Sequence, residues 1–313
     1  MEKINNVTDF VFWGLSQNPE IEEVCFVVFS FFYTVILLGN LLIILTVYVG
    51  HLFKSPMYLF LNYLSFVDIC YSSVTAPKMI VDLLAKSKII SYMGCMLQLF
   101  GGYFFGCTEI FILTVMAYDH YVAICKPLHY MTIMDWDRCN KMLLGCWIGG
   151  FTHSIIQVAL VVQLPFCGPN EIDHYFCNVH LVLKLACTDT YVVGVVVTAN
   201  SDTITLGSSV ILLISYTVIL VSLRKQSAEG MCKALSTCGS HFAMVINFFG
   251  PCTFMYMHPD NTFSEDKMVA VFYTIITPML NPLIYTLRNA KVKNAMKKLW
   301  SRRVLWEANA KQK

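Results

Sequence analysis

The stretch VCFVVFSFFYTVILLGNLLIILTVY, residues 24–48, contains 25 residues and no charged side chain. An α-helix of about 20 apolar residues is long enough to cross the hydrocarbon core of a bilayer. Of the 313 residues in the chain, 57% are hydrophobic and only 13% are charged, against roughly 25% charged in an ordinary soluble domain. A soluble chain of this length would need a charged surface that this sequence lacks. The composition therefore predicts an integral membrane protein.

Six more apolar stretches follow the first, and together they predict seven membrane spans, numbered here in chain order. They run approximately Val24–Tyr48, Pro56–Met79, Met96–Tyr121, Met142–Val162, Tyr191–Leu223, Ala234–Met257 and Met268–Leu287. The connections are short except for one of about 28 residues between spans 4 and 5. We predict an all-α membrane protein, a seven-transmembrane helix bundle over residues 24–287, with an N-terminal segment (1–23) before it and a basic tail (288–313) after it.

The distribution of lysine and arginine predicts the orientation of this bundle, because these residues gather on the cytoplasmic side of membrane spans. If the N-terminus is outside, sixteen of the 22 lysines and arginines fall on inner segments and six on outer ones. We therefore expect a plasma-membrane protein with an extracellular N-terminus and a cytoplasmic C-terminus. The net charge of +2 hides this asymmetry and gives no indication of nucleic-acid binding.

The N-terminal segment agrees with that orientation. Asn6-Val7-Thr8 fits the N-glycosylation pattern, which has meaning only on the luminal side of the secretory pathway. The first 23 residues contain no apolar core of the kind found in cleaved signal peptides. We expect span 1 itself to target the chain to the membrane.

Four of the thirteen cysteines are predicted to lie outside the cell. Cys95 is at the outer end of span 3, and Cys167, Cys177 and Cys187 are in the long loop. The loop cysteines are ten residues apart and form no C-x-x-C pair, so zinc binding is not indicated. An oxidising compartment favours disulfides. We expect two, and the spacing alone leaves three pairings open.

The ordered set of motifs resembles the class II (tetrapod-type) olfactory receptors, within the rhodopsin-like G-protein-coupled receptors. The resemblance covers nearly the whole chain, and Asp-His-Tyr (119–121) and FFGP (248–251) resemble the family 4 branch. The motifs are Gly39-Asn40, PMYLFLNYLSFVDIC (56–70), MAYDHYVAICKPLHY (116–130), LPFCGPNEIDHYFCNVHLVLKLACTDT (164–190), Ser215-Tyr216, KALSTCGSHF (233–242) and PMLNPLIYTLRN (278–289).

This resemblance implies a receptor, not an enzyme, that binds a small volatile organic ligand among its helices. It implies that the receptor activates a heterotrimeric stimulatory G protein and so raises cAMP. It also implies disulfides between Cys95 and Cys177 and between Cys167 and Cys187.

Two acids, Asp68 in span 2 and Glu109 in span 3, lie deep in predicted spans, where an ionisable group costs about 2.5–3.5 kcal/mol on insertion scales. They could be protonated, or satisfied by neighbouring hydroxyls such as those of Ser65 and Ser72. Alternatively, carboxylate oxygens suit a hard cation such as sodium. Both positions match acids of the olfactory family, where sodium stabilises the resting state, and we favour the cation site.

The inner end of span 3 carries Asp119, His120 and Tyr121, where related receptors usually have Asp-Arg-Tyr. In the family the arginine pairs with the neighbouring acid at rest and contacts a span-5 tyrosine, matched here by Tyr216, and the G protein during signalling. Histidine is shorter, offers fewer donors and titrates near 6.5. His120 is either a tolerated polar residue or one that weakens both the resting pair with Asp119 and G-protein coupling.

Span 7 contains Pro278 and Pro282, with Asn281 before the second proline and Tyr285 after it. Proline frees a backbone carbonyl in a helix, and we expect Asn281 to bond the carbonyls so freed. The kink could serve packing alone; in the family this segment moves during activation.

A short amphipathic eighth helix follows span 7. One face carries Val292, Ala295, Met296, Leu299 and Trp300, and the other carries Lys291, Lys293, Lys297 and Lys298. Such a helix suits contact with anionic membrane lipid.

The ligand is expected between the outer halves of spans 3, 5, 6 and 7. The outer half of span 3 carries no acid, so an amine would lack an obvious counter-ion there. Gly102 and Gly106 could pack helices closely or could leave room for a ligand. The candidate binding residues are mostly apolar, with a few hydroxyls and one amide, as expected for small organic ligands. They are Gly102, Tyr103, Gly106, Cys107, Asn200, Ser201, Ile204, Phe249, Cys252, Thr253, Tyr256, Val271 and Thr274.

Other classes of membrane protein fit less well. A transporter would need broken helices or inverted repeats, which are not visible. An enzyme would need a nucleophile–base or metal constellation; the chain has no H-E-x-x-H or G-x-S-x-G, and its outer histidines (153, 174, 180 and 258) are expected to be loop or rim residues. The serious rival is a receptor for a non-odorant metabolite outside the nose.

Overall fold

The computed structural model describes residues 7–167, 170–224, 239, 241–250, 263–288 and 292–297, and side chains throughout these ranges except at 263–266 and 285–288. Five of the described helices are long and apolar enough to cross a membrane; the helix of span 2 is 27 residues long but less apolar. Spans 1 to 5 are Pro19–Val49, Pro56–Asp82, Tyr92–Cys125, Trp136–Val162 and Tyr191–Leu223. Span 6 is described over His241–Gly250, and span 7 comprises Phe263–Val271, the π-helical Phe272–Ile276 and Thr277–Arg288. The short helices are Leu52–Lys54, Pro127–His129, Tyr130–Ile133, Val179–Lys184 and 292–297.

Spans 1, 3 and 4 begin earlier than their apolar stretches, because polar residues upstream cap these helices. Asn18 accepts a hydrogen bond from the Glu20 amide (3.0 Å), and Pro19 occupies the first helical position, so span 1 begins there and not at Val24. Ser91 and Asp135 cap spans 3 and 4 in the same way. Apolar periodicity finds the part of a helix that meets lipid, whereas the capping residue decides where the helix begins.

A small three-stranded sheet covers one end of the bundle, which we call the sheet end; the opposite end is the tail end. Strands β1 (Asp9–Phe12), β2 (Ile89–Ser91) and β3 (Glu171–Ile172) lie in the order β2-β1-β3. Strand β1 is antiparallel to β2 and parallel to β3. Its alternate residues Phe10 and Phe12 are buried, so this strand, which was not predicted, ties the N-terminal segment and the long loop to the bundle.

Spans 1 and 7 meet closely at the proline kink. Because Pro282 has no amide hydrogen, it leaves the carbonyl of Pro278 without its helical partner. The Asn40 side chain donates to that carbonyl (3.1 Å). A Cβ placed on Gly39 would lie 3.0 Å from the Pro282 Cγ, so glycine permits the approach that brings Asn40 to the kink. The Gly39-Asn40 pair therefore has a direct structural role.

The described part of the eighth helix is amphipathic, as predicted. Val292 is fully buried in the apolar cluster that includes Met116 and Tyr216, and Met296 packs against the same cluster. On the other side Lys293 and Lys297 are exposed. The remaining residues assigned to its two faces, Lys291, Lys298, Leu299 and Trp300, lie outside the described residues.

Candidate ligand cavity and signalling sites

A cavity of about 390 Å³ lies within the bundle toward the sheet end. Its walls come from spans 2 to 7 and from the long loop. Seven of the thirteen predicted ligand residues line it: Gly102, Tyr103, Gly106, Cys107, Ser201, Ile204 and Thr274. Three others, Cys252, Thr253 and Tyr256, lie outside the described residues.

The two glycines of span 3 leave room in the cavity. A Cβ on Gly102 would meet no described atom within 4 Å, and one on Gly106 would lie 3.5 Å from the Tyr71 ring. Close helix packing looks different: at Gly149 in span 4, a Cβ would lie 2.6 Å from the Phe111 ring. Of the two roles considered for Gly102 and Gly106, the geometry favours space for a ligand.

The remaining three predicted residues do not line the cavity, so these assignments need correction. Phe248 lines it in place of Phe249, because neighbouring residues point about 100° apart around a helix. Val271 is buried elsewhere, since the wider turn of the π-helix that follows it changes which side chains of span 7 face the cavity. Asn200 stands behind the wall, where its Nδ2 donates to His153 Nδ1 (3.2 Å).

Polar residues that were not predicted as ligand contacts also lie at the cavity. His153 and His180 were expected to be loop or rim residues; His180 lies in the long loop, and both side chains line the cavity. Gln157 joins spans 4 and 5 beside it by donating to Ser201 Oγ (2.9 Å). Asp202 of span 5 lines the cavity as well. An ionisable residue inside a span is a signal of function, and that rule, applied to Asp68 and Glu109, would have found Asp202 too.

Residues 171–184 of the long loop form a lid over the cavity. The structure joins Cys95 to Cys177 and Cys167 to Cys187 by disulfides, the pairing that the resemblance implied. The Cys177 amide also donates to Gln98 Oε1 in span 3 (2.9 Å). These contacts hold the lid against span 3 at the place where the lid meets the cavity.

A second set of contacts joins the lid to span 7 and the N-terminal segment. Lys267 Nζ binds Asp173 Oδ1 (2.6 Å) and donates to the Gly14 carbonyl (3.0 Å). The neighbouring His174 is buried, which together with the positive charge of Lys267 lowers its pKa to about 3, despite the opposing effect of Asp173. His174 is therefore a neutral side chain of the folded lid.

The predicted acid pair lies at the centre of the bundle. Asp68, Glu109 and Asn281 are all buried, and Asn281 Nδ2 donates to both carboxylate oxygens of Asp68 (3.1 and 3.0 Å). The expectation that Asn281 bonds the carbonyls freed by proline is wrong. A carboxylate is a stronger acceptor than a carbonyl, and Asn40 already bonds the carbonyl of Pro278.

Several oxygens around this acid pair have no hydrogen-bond partner in the described part of the chain. Both oxygens of Glu109 and the Oδ1 of Asn281 are buried without a hydrogen bond. The Ser72 hydroxyl, one of the suggested partners, donates to the backbone carbonyl of Asp68 (2.8 Å) and not to a carboxylate.

At the tail end, the residues of the Asp-His-Tyr triplet have separate partners. Asp119 accepts a hydrogen bond from the Tyr130 hydroxyl (2.8 Å), and His120 Nδ1 donates to the Met116 carbonyl (2.6 Å). No ion pair within 4.0 Å joins Asp119 to His120 in the described structure. Tyr121 is half-buried beside Lys126.

The ring of His120 instead stacks on that of His241 in span 6, with 5.0 Å between centroids and 12° between planes. His241 Nδ1 in turn shares a hydrogen bond with the Tyr216 hydroxyl of span 5. Spans 3, 5 and 6 therefore meet through three aromatic rings. An arginine at position 120 would instead contact its partners through the N–H donors of its guanidinium group. Pro282 is buried nearer the centre of the bundle, and the side chain of Tyr285 lies outside the described residues.

Comparison with known proteins agrees with this architecture. A family model described as olfactory receptor matches residues 29–303. Human olfactory receptor 4S2 is 84% identical over 99% of this chain and 100% of its own length. Human olfactory receptor 4X2 is 60% identical (95% and 98% covered), and mouse olfactory receptor 4B13 is 57% identical (97% and 99% covered). The chain is thus a multi-pass membrane protein that belongs to the olfactory receptor family, a non-enzymatic class of G-protein-coupled odorant receptors, and within it to family 4.

Proposed function

We propose that this receptor binds small, mostly apolar organic ligands in the cavity beneath the lid and activates a stimulatory G protein, raising cAMP. The observation that carries the proposal is the cavity itself. Its volume of about 390 Å³ lies at the lower end of the range for small-molecule pockets, roughly 300–1,000 Å³. Gly102 and Gly106 keep it open, and most of its walls are apolar, aromatic or hydroxyl side chains, as suits a small and mostly apolar ligand.

The G protein is proposed to bind at the tail end, where His120, His241 and Tyr216 connect spans 3, 5 and 6. Ligand binding shifts the receptor only through different affinities for its resting and active states. Separation of the stacked rings would release span 6 from span 3 and expose this end of the bundle. In this proposal Asp119, Tyr121, Asn281, Pro282 and Tyr285 take the roles that the family gives to matching positions.

The sheet end is proposed to be extracellular. Both disulfides lie there, and disulfides persist on the oxidising side of the membrane. The opposite end carries Lys126, Arg138 and Lys141, as the positive-inside rule requires of a cytoplasmic face. Residues 1–23, including a glycan at Asn6, would then be outside the plasma membrane, and the tail 288–313 inside, with the eighth helix against the inner leaflet.

A sodium ion is proposed to bind between Asp68 and Glu109 in the resting state. The buried oxygens of Glu109 that lack hydrogen bonds support it, because hard cations take oxygen ligands. Sodium should then lower agonist potency, and the Asp68→Asn, Glu109→Gln double variant should lose that effect. Unchanged sodium sensitivity in the double variant, at wild-type surface level, would show that the ion acts elsewhere.

The test of the main proposal is a screen of volatile compounds in transfected cells with a cAMP reporter. Each active compound is repeated in cells that lack stimulatory Gα subunits, and mock-transfected cells provide the background. We expect a receptor-dependent rise in cAMP that disappears without these subunits. Uptake of a compound without cAMP would instead indicate a transporter, and responses confined to non-volatile metabolites would indicate the rival receptor class.

A further inference from the structure

Within the proposed ligand function, we propose that the cavity selects small organic amines, and that the Asp202 carboxylate recognises their ammonium group. Asp202 lies on span 5, well inside its helix, and is half-buried. Among the described residues that line the 390 Å³ cavity, Asp202 is the only acid, and neither lysine nor arginine is present. The chain therefore places a single carboxyl group at a ligand cavity whose described lining contains no basic side chains other than those of His153 and His180.

Aromatic rings provide the second feature that suits an ammonium group. An ammonium ion is attracted to the face of an aromatic ring within about 6 Å, and the attraction is stronger away from water. Rings contributed by spans 2, 3, 6 and 7 and by the lid all reach the cavity. They belong to Tyr71, Tyr103, Phe176, Phe248 and Tyr273.

Asp202 also lines a neighbouring cavity of about 530 Å³, together with His180 and Lys184. These basic side chains compete with a ligand for the carboxylate. However, a carboxylate has about four lone-pair positions, so it can accept from a ligand ammonium and from protein donors together. Lys184 is exposed, and solvent screens its charge more than that of a ligand held inside the bundle.

The experiment compares amines with alcohols of the same carbon skeleton, about five to ten carbons long to suit the cavity. Purified receptor in detergent is heated with each compound, because ligand binding to the folded state raises the melting temperature. The same pairs are tested for cAMP in cells. We expect amines to bind at least about tenfold more tightly than their alcohols, as for hydrogen bonds to a charged group. Equal or weaker binding of amines overturns the proposal.

Variants then assign the preference to Asp202. Asp202→Asn should reduce amine affinity at least about tenfold and leave alcohols unchanged, whereas Asp202→Glu should retain the preference. Asp189→Asn is the matched control: Asp189 is an exposed loop acid that accepts a hydrogen bond from the Tyr191 amide at the start of span 5, and the side-chain oxygen of asparagine can accept the same bond. Undiminished amine affinity in Asp202→Asn, or an equal loss in Asp189→Asn, overturns the role of Asp202.

Two further outcomes are decisive as well. If Asp202→Asn does not reach the membrane, the wild-type receptor is tested with a quaternary ammonium compound and with the neutral analogue that has a tert-butyl group in its place. We expect the charged compound to bind more tightly, and equally tight binding of the neutral analogue overturns the proposal. If amines raise the melting temperature but not cAMP, the amine site stands and the proposed coupling to a stimulatory G protein fails.

Discussion

The two disulfides should contribute differently to stability, and replacing both cysteines of one bridge at a time measures each contribution. We compare Cys95→Ala, Cys177→Ala with Cys167→Ala, Cys187→Ala, because each double variant leaves no unpaired outer cysteine free to form a wrong bridge. Both bridges hold the loop that carries the lid. Only the Cys95–Cys177 bridge joins the lid to span 3.

The expected magnitudes follow from the length of chain that each bridge closes. The separations are 82 residues for Cys95–Cys177 and 20 for Cys167–Cys187. By the loop-entropy relation these correspond to about 4.5 and about 3.3 kcal/mol of stabilisation at 25 °C. A typical domain has only about 5–15 kcal/mol of net stability. Loss of the longer bridge should therefore remove most of it, even though Gln98 still holds the Cys177 amide.

The assay is surface staining of an N-terminal epitope in intact cells, normalised to total receptor, followed by melting of the solubilised protein. We expect the Cys95, Cys177 variant to be nearly absent from the surface and the Cys167, Cys187 variant to be reduced. The difference of about 1.2 kcal/mol is roughly eightfold in the folded-to-unfolded ratio. Equal staining of both variants and wild type, or the reverse order, would refute the reasoning.

Three other predictions concern single positions. His120→Arg should raise the maximal agonist-evoked cAMP signal at equal surface expression, because arginine supplies donors for the G-protein contact that histidine lacks; an unchanged maximum would contradict this. The pKa of His174 is about 3 in the folded state and near 6.5 in the unfolded state, so its contribution to stability should be constant above pH 6.5 and fall by about 1.4 kcal/mol per pH unit from pH 6.5 toward pH 3. The melting temperature of His174→Phe should therefore depend less on pH in this range than that of the wild type, and the same dependence in both proteins would exclude the effect. Gly39→Ala should lower the melting temperature, because its Cβ would lie 3.0 Å from Pro282 Cγ, whereas Gly207→Ala, whose Cβ meets no described atom within 4 Å, should not.

The features that the sequence predicted are those encoded locally. Long apolar stretches indicated the spans, whereas the sequence left open whether Gly102 and Gly106 pack helices closely or leave room for a ligand. Helix starts were missed where a capping residue such as Asn18 lies outside the apolar stretch. Strand β1 was missed because only four residues, two of them buried phenylalanines, carry its signal.

The features that the sequence did not predict depend on contacts between distant residues. Asn40 and the Pro278 carbonyl are 238 residues apart, so neither position alone identifies the other as its partner. The choice between Phe248 and Phe249 depends on how span 6 is rotated, which a helix that is apolar on many sides does not specify. Asp202 differs from these cases, since an acid inside a span could have been recognised from the sequence.

The most direct test of the account is a comparison of Gly102→Leu with Gly207→Leu, using an agonist found in the cAMP screen. A Cβ on either glycine would meet no described atom within 4 Å, but Gly102 lines the cavity whereas Gly207 is exposed on span 5. At equal surface expression, we expect Gly102→Leu to abolish the response by filling the ligand space and Gly207→Leu to respond as wild type. A normal dose–response curve for Gly102→Leu would contradict the placement of the ligand in this cavity.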